Sequence, residues 1–212
     1  MSTLLIEYQY FGTVNYYKTL FHFSNIKFEE YENFQKGSFR NRTPVPGANG
    51  VINLSVPLQK GRDQKALFRD IKIDYRENWM VQHIRTLDAC YNRAPFYEFY
   101  RDSIRDLLNQ EETHLMSLDK KLVHWVLKML KAKPHISATE TYDRIVEGDI
   151  VDARNTVLPG KELNENLNFT VAEYDQVFRD RIGFKPNMSI LDLLFCEGPA
   201  SAGLLKSSDS RF

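Results

Sequence analysis

A short basic stretch, QKGSFRNR at residues 35–42, contains the side chains best suited to hold an anion. Lys36, Arg40 and Arg42 supply three cations, and Asn41 lies between the two arginines. The planar fork of an arginine matches phosphate and carboxylate, and the glycine of this stretch lets a ligand approach the backbone. We therefore expect at least two of the three cations to line the main pocket. A solvated basic turn without a ligand is the alternative.

His83 is the candidate for proton transfer, because histidine changes its protonation state near neutral pH. It lies four residues after Trp79 and three before Thr86 on a predicted helix. At about 100° per residue, His83 falls at the edge of the apolar stripe that contains Met80 and Ile84, where a base would line a cleft. A hydrogen-bonded or surface histidine is the alternative. The remaining histidines have no ligand spacing with one another, so we predict no metal site.

Acidic residues near a second turn are candidates for holding a base or a hydroxyl group. Asp192 and Glu197 lie in the stretch SILDLLFCEGP, and Asp192 is the predicted partner of the base. The alternative for Asp192 is helix capping, because it follows Ser189 by three residues. Asp152 and Arg154 form a weaker pair of the same kind, and we include Arg154 among the predicted substrate-binding residues.

The composition excludes several classes of protein. The chain has 28 basic and 28 acidic residues, a balance that argues against a dedicated nucleic-acid binder. No run approaches the ~20 apolar residues of a membrane-spanning helix. Cys90 and Cys196 are isolated and no secretory leader is apparent, so we expect a soluble cytoplasmic protein with reduced thiols. Dinucleotide, P-loop and zinc motifs are missing from the sequence, and we predict no cofactor.

The elements that must position these residues follow an α/β pattern. We predict a mostly parallel sheet flanked by helices, with a helical C-terminal portion. Alternating or continuous apolar runs predict strands near residues 3–9, 26–32, 50–57 and 134–140, with a further short strand at 69–74. The first two strands are joined by a helix over residues 13–23.

The middle and end of the chain are predicted to be mainly helical. Asp74 and Glu77 resemble a capping box at the start of the helix that carries His83. Two more helices follow over residues 96–107 and 117–131, then a long irregular connection over 143–168, and Thr170 and Ser189 are predicted to cap two final helices. We expect a single domain over residues 1–212 with a frayed tail at 203–212.

Five stretches together resemble the WbqC-like protein family. They are, in chain order, EYQYFGTVNYYKTL, ENFQKGSFRNR, ANGVINLSVPL, IKIDYRENWMVQHIRTLDACYNRAPFYEFY and YDQVFRDRIGFKPNMSILDLLFCEGP. They run from Glu7 to Pro199, and their order identifies the family although no single piece is specific. The chain departs from the family at Gly12-Thr13, where a proline commonly follows the aromatic pair. A ligand-binding role of this turn is therefore not carried over.

The resemblance implies a setting in bacterial surface-polysaccharide (O-antigen) biosynthesis. The reaction suggested for the family is transfer of a glycyl or other aminoacyl group to a nucleotide-linked amino sugar. The resemblance implies that Lys36, Arg40 and Arg42 face the diphosphate of that sugar or the carboxylate of an amino-acid donor. His83 would deprotonate the sugar amine, and Tyr10 would stack on a sugar or base unless it packs in the core. The alternative is a binding or assembly protein of the glycan-synthesis machinery without catalysis.

Overall fold

A computed structural model describes residues 2–61, 65–160 and 173–207. The strands are β1 (Thr3–Glu7), β2 (Asn25–Glu29), β3 (Arg42–Gly47), β4 (Gly50–Ser55), β5 (His135–Ala138) and β6 (Ile150–Asp152). The helices are α1 (Val14–Phe21), α2 (Trp79–Tyr91), α3 (Tyr97–Asn109), α4 (Leu115–Met129), α5 (Arg179–Ile182), α6 (Ile190–Glu197) and α7 (Ser201–Lys206). Two short 3-10 helices lie at Phe68–Asp70 and Gly198–Ala200.

Four strands form the central sheet, in the order β5-β2-β1-β6. Every neighbouring pair in it is parallel. The predicted class, a mostly parallel α/β sheet with a helical C-terminal portion, is confirmed. Because parallel neighbours need a crossover, α1 connects β1 to β2 and the middle helices separate β2 from β5.

The two faces of this sheet differ in polarity. Leu4, Ile6, Ile26 and Phe28 alternate along β1 and β2 on one face and are fully buried. The opposite face of β2 carries Lys27 and Glu29, which lie beside Leu5 and Glu7 of β1 in the register. The hydrophobic core therefore packs against the first of these faces, and the charged side chains of β1 and β2 lie on the second.

The predicted strand at residues 50–57 exists as β4, but its expected place in the parallel sheet is wrong. It pairs with β3 in a separate antiparallel hairpin. The two strands are joined by Ala48 and Asn49 alone, and so short a connection can only reverse the chain. The Asn-Gly signal was correctly interpreted as a turn, whereas the strand before it escaped prediction because it contains two prolines.

Two local predictions in the middle of the chain are also wrong. The predicted strand at 69–74 is a 3-10 turn followed by isolated bridges at Lys72 and Ile73. Helix α2 begins at Trp79, and the side chain of Asn78 caps it by accepting a hydrogen bond from the backbone of Val81. Asp74 instead binds the guanidinium of Arg76, so the acidic pair predicted to cap this helix does not cap it.

The C-terminal third contains one strand that periodicity did not indicate. Strand β6 lies inside the stretch predicted to be irregular and forms an edge of the sheet. Part of the tail expected to be frayed is helical, because α7 extends to Lys206 and Leu205 is fully buried. Thr170, predicted to cap a helix, lies outside the described residues. Ser189 does cap α6, by accepting from the backbone of Leu191.

The turn after β1 has an unusual backbone. Phe11 has a φ of 47° and Gly12 a φ of 23°, both in the left-handed region. A bulky residue rarely adopts such a conformation, so the surrounding packing must hold it. A Cβ atom on Gly12 would lie 2.6 Å from the Tyr16 ring, which explains why glycine occupies this position.

Candidate functional site

Polar side chains gather where the parallel strands end. Glu7 and Glu29 are the last residues of β1 and β2, Thr139 directly follows β5, and Arg154 comes two residues after β6. Ligands of open α/β sheets bind outside the carboxyl ends of the strands, so a ligand site is expected at this edge. Glu7 and Glu29 are each only 1% exposed.

Glu29 and Arg154 form a buried ion pair at this edge. The Arg154 Nη1 atom donates to Glu29 at 2.9 Å, and the other Glu29 oxygen accepts from the Thr139 hydroxyl at 3.0 Å and the Tyr31 backbone at 2.8 Å. Arg154 also binds Asp152 through two nitrogens, and these hydrogen bonds raise the arginine pKa well above its usual range. Each charge of this pair therefore has a hydrogen-bonded partner.

Asn155 connects that pair to a second one. Its backbone N–H donates to Glu7 at 2.9 Å, and its φ of 56° is again left-handed. Its side-chain amide donates to Glu32 and its oxygen accepts from Arg40 at 3.0 Å. Arg40 also binds Glu32 at 2.5 Å. We call these residues the sheet-end cluster: Glu7, Glu29, Glu32, Arg40, Arg154 and Asn155.

Arg40 therefore differs from the cation that the sequence suggested. Its side chain is fully buried, its guanidinium lies 5.4 Å from the centre of the Phe68 ring, and its Nε atom has no hydrogen-bond partner. Burial raises the pKa of Glu32, and the charge of Arg40 opposes that rise. The position supports a structural ion pair more than a ligand contact.

A cavity of about 340 Å³ lies against the sheet-end cluster, on the polar face of the sheet. We call it the sheet-end cavity. Its polar lining residues include Lys27, Glu29, Thr139, Thr141, Asp143 and Arg154. The Tyr142 ring, about half exposed, stacks under the Arg154 guanidinium with 4.9 Å between the charge and the ring centre. The walls thus combine two cations and several acceptors, and an aromatic ring lies against one of the cations.

A second cavity, of about 430 Å³, lies beside the basic stretch, and we call it the turn cavity. It is lined by Gly37, Asn41, Arg42, Ser55, Val56, Pro57 and Leu58. The Arg42 Nη2 atom donates to the Gly37 carbonyl at 2.5 Å, and the Asn41 amide donates to the Val56 carbonyl at 3.0 Å. Of the three predicted cations, Arg42 lines this cavity, Arg40 belongs to the sheet-end cluster and Lys36 is exposed.

His83 lies just behind the turn cavity and has two polar partners. Its Nδ1 atom is 2.9 Å from the Tyr10 hydroxyl, and its ring also bonds the backbone of Ser55. It is 6% exposed, and burial lowers its pKa to about 4. At neutral pH the ring is uncharged, and so weak a base accepts a proton reluctantly. The geometry supports a positioning role, in which His83 ties the turn after β1 to the hairpin.

Tyr10, predicted to stack on a substrate, is fully buried. Its ring packs edge-on against Phe11 and Trp79, with ring centres 5.0 and 6.4 Å apart. Core packing, the alternative reading of this residue, fits these contacts better.

Asp192 and Glu197 lie in a different part of the fold. Asp192 is fully buried and accepts hydrogen bonds from Tyr91 at 2.9 Å, Tyr174 at 2.6 Å and Gln176 at 2.7 Å. Burial raises the pKa of Asp192, and these three donors oppose that rise. No hydrogen bond joins it to His83 in the described structure, so the two do not form a base and its orienting group. Glu197 is half-buried at the end of α6.

Asp119, a buried carboxylate on α4, is not among the site residues predicted from the sequence. Its side chain is fully buried and both oxygens lack a hydrogen-bond partner. Burial raises its pKa well above the usual range, and the charge of Arg40 opposes that rise. An aspartate four residues after Leu115 and three before Leu122, on the apolar stripe of a helix, was a signal that could have found it.

The comparisons with known proteins agree with the motifs quoted from the sequence. The WbqC-like protein family matches residues 9–157, and the chain belongs to that family. An uncharacterized protein of Mycobacterium tuberculosis is 24% identical over 196 residues, which cover 82% of this chain and 84% of the relative. No solved structure matches the chain significantly. Asp192 and Glu197 lie beyond the matched residues.

Among the described residues, no three histidine, cysteine, aspartate or glutamate side chains come together in a group that could hold a metal ion. In the same part of the chain, no helix has the length and apolar character needed to cross a membrane.

Proposed function

We propose that this protein acts in bacterial surface-polysaccharide (O-antigen) biosynthesis and binds a nucleotide-linked amino sugar in the sheet-end cavity. The reaction we propose is transfer of a glycyl or other aminoacyl group to the sugar amine. Family membership supports the setting, and the observation that carries the site is the position of this cavity at the carboxyl ends of an all-parallel sheet.

The lining of the cavity suits such a ligand. Lys27 offers positive charge to a diphosphate, since an ammonium group binds phosphate oxygens, whereas the Arg154 guanidinium is already bound by Glu29 and Asp152. Asp143 and Thr141 offer acceptors and a hydroxyl to the sugar hydroxyl groups. The half-exposed ring of Tyr142 is available for stacking on a base or sugar ring.

The proton acceptor for the sugar amine is a separate question. His83 remains the candidate from the sequence, but its low pKa and two partners favour the positioning role described above. Asp143 and Glu147 line the sheet-end cavity and are the carboxylates best placed to accept a proton from a ligand bound there.

A non-catalytic binding or assembly protein is the second candidate. It is favoured by the separation of the predicted catalytic residues, because His83 and Asp192 share no hydrogen-bond partner among the described residues. In this reading the sheet-end cavity binds the same sugar and the protein presents it to another enzyme.

Binding and transfer can be tested separately. We expect UDP-N-acetylglucosamine, used as the probe, to raise the melting temperature of the protein in a concentration-dependent way. Lys27→Gln should weaken binding at least tenfold by calorimetry, on the scale of a lost charged hydrogen bond. Lys133→Gln, an exposed lysine outside the cavity, is the control and should bind as the wild type does.

Incubation with a nucleotide-linked amino sugar and an aminoacyl donor, followed by mass spectrometry, then distinguishes the two candidates. A product heavier by one aminoacyl residue supports the transferase. Binding without any product supports the assembly protein. Lys27→Gln binding as tightly as the wild type would show that the sugar, if it binds, uses another site.

A further inference from the structure

The turn cavity differs from the sheet-end cavity in the charge of its walls. Among the described residues that line it, Arg42 is the one with a charged side chain, and none of them is a carboxylate. The lining of the sheet-end cavity, in contrast, includes Glu29, Asp143 and Glu147 beside its two cations. A cavity whose only charge is positive attracts an anion and disfavours a cation.

The guanidinium of Arg42 is held in place with part of its donor capacity unused. Its Nη2 atom is bound to the Gly37 carbonyl, while its Nε atom is buried and has no partner. A buried donor without a partner costs roughly 1–3 kcal/mol, so a ligand that brought an acceptor to this atom would recover that cost. Arginine binds the two oxygens of a carboxylate or phosphate with parallel hydrogen bonds, and Nε belongs to one side of that fork.

The rest of the wall is rigid and partly apolar. The backbone N–H of Val56 donates to the Asn41 carbonyl at 2.8 Å, and the Asn41 side chain returns a bond to the Val56 carbonyl. These two bonds tie the basic stretch to the segment that follows β4. Val56, Pro57 and Leu58 contribute apolar surface, and the volume of about 430 Å³ exceeds what a bare ion needs.

We propose that the turn cavity is a second ligand site, which binds the oxyanion of a small organic molecule through Arg42. The shared chemistry is a carboxylate or a phosphate ester carried on a small carbon skeleton. This site does not depend on sugar binding at the sheet-end cavity, and its test uses different residues and different probes.

The test is an NMR titration of the wild-type protein with sodium phosphate and, separately, sodium acetate, at ionic strength held constant with sodium chloride. We expect saturable shifts of the backbone amides of residues 36–42, 55, 56 and 58 with at least one anion. Tighter binding of phosphate assigns the site to phosphate esters, and tighter binding of acetate assigns it to carboxylates.

Three variants test the role of Arg42. Arg42→Gln should raise the dissociation constant of the preferred anion at least tenfold. Arg42→Lys keeps the charge but loses the planar guanidinium, so its dissociation constant should lie between those of the wild type and Arg42→Gln. Arg69→Gln, an exposed arginine outside the cavity, should bind as the wild type does. Absence of saturable shifts at these amides in the wild type, or an unchanged titration of folded Arg42→Gln, overturns the proposal. The wild-type mapping decides the matter alone if Arg42→Gln does not fold.

Discussion

The sheet-end cluster and the turn cavity place arginines only a few residues apart in opposite electrostatic situations. Arg40 is fully buried, its charge is balanced by Glu32, and the Asn155 side-chain oxygen accepts a hydrogen bond from it. Arg42 is half-buried and is held by the Gly37 carbonyl, and the described residues that line the turn cavity with it include no carboxylate. Removal of one partner of a buried arginine–carboxylate pair is strongly destabilising, whereas an arginine without a carboxylate partner keeps donors that a ligand can use.

Replacement of Arg40 is expected to lower the free energy of unfolding more than any other change proposed for these two regions. Arg40→Leu leaves Glu32 and Asn155 without their donor, and removal of one partner of a buried pair costs about 3–5 kcal/mol. Urea unfolding monitored by circular dichroism measures the loss. Arg40→Leu combined with Glu32→Leu should recover much of it. A loss below about 1 kcal/mol in the single variant would mean that the pair is not a structural one.

Protonation of His83 should cause the next largest change, a loss of stability at acidic pH. Its pKa falls from 6.5 to about 4 on folding, so the unfolded chain binds a proton that the folded protein refuses. Stability is therefore fully present above about pH 6.5 and is lost as pH falls towards 4, by about 3 kcal/mol for this group. Urea unfolding at pH 7 and pH 4 measures the loss.

His83→Gln, which can keep one of the two hydrogen bonds, is the control for that measurement. It should lose less stability over the same pH interval than the wild type does. Equal losses in both proteins would assign the acid sensitivity to other groups and leave the positioning role of His83 unsupported.

Asp119 extends the comparison to a buried carboxylate with no partner. Its pKa is raised on folding, so its contribution is most favourable below the unfolded value of about 4 and weakens as pH rises. Asp119→Asn should therefore be more stable than the wild type at pH 8, by about 1–3 kcal/mol, and the difference should shrink towards pH 4. Chemical unfolding at both pH values tests this. A variant less stable than the wild type at pH 8 would show that Asp119 is ionised and bound by a partner.

The smallest expected difference in the free energy of unfolding is that between Arg42→Gln and the wild type. Replacement of Arg42 loses a hydrogen bond to Gly37 but also removes a buried donor without a partner, so the two effects oppose each other and should alter the free energy of unfolding by no more than about 1 kcal/mol. Differential scanning calorimetry beside Arg40→Leu provides the direct contrast. A loss of stability as large as that of Arg40→Leu would show that Arg42, like Arg40, has a structural role.

Local patterns were sufficient for much of the fold. The apolar runs near the N-terminus predicted β1, α1 and β2, and the order of aromatic and basic motifs identified the family. These features are readable because periodicity reports which residues of a short segment face the core. The same reasoning missed β6, a strand of three residues that is too short to establish a period.

The sequence by itself determined the fold class, the family and the presence of a basic stretch near a turn. Only the tertiary structure decided which of its cations is balanced, because Arg40 meets Asn155 across a sequence separation of 115 residues. It likewise placed β4 in a hairpin and left Asp119 without a partner. The physical reason is that the energy of a charge depends on its burial and on the charges around it, and neither is contained in the spacing of neighbouring residues.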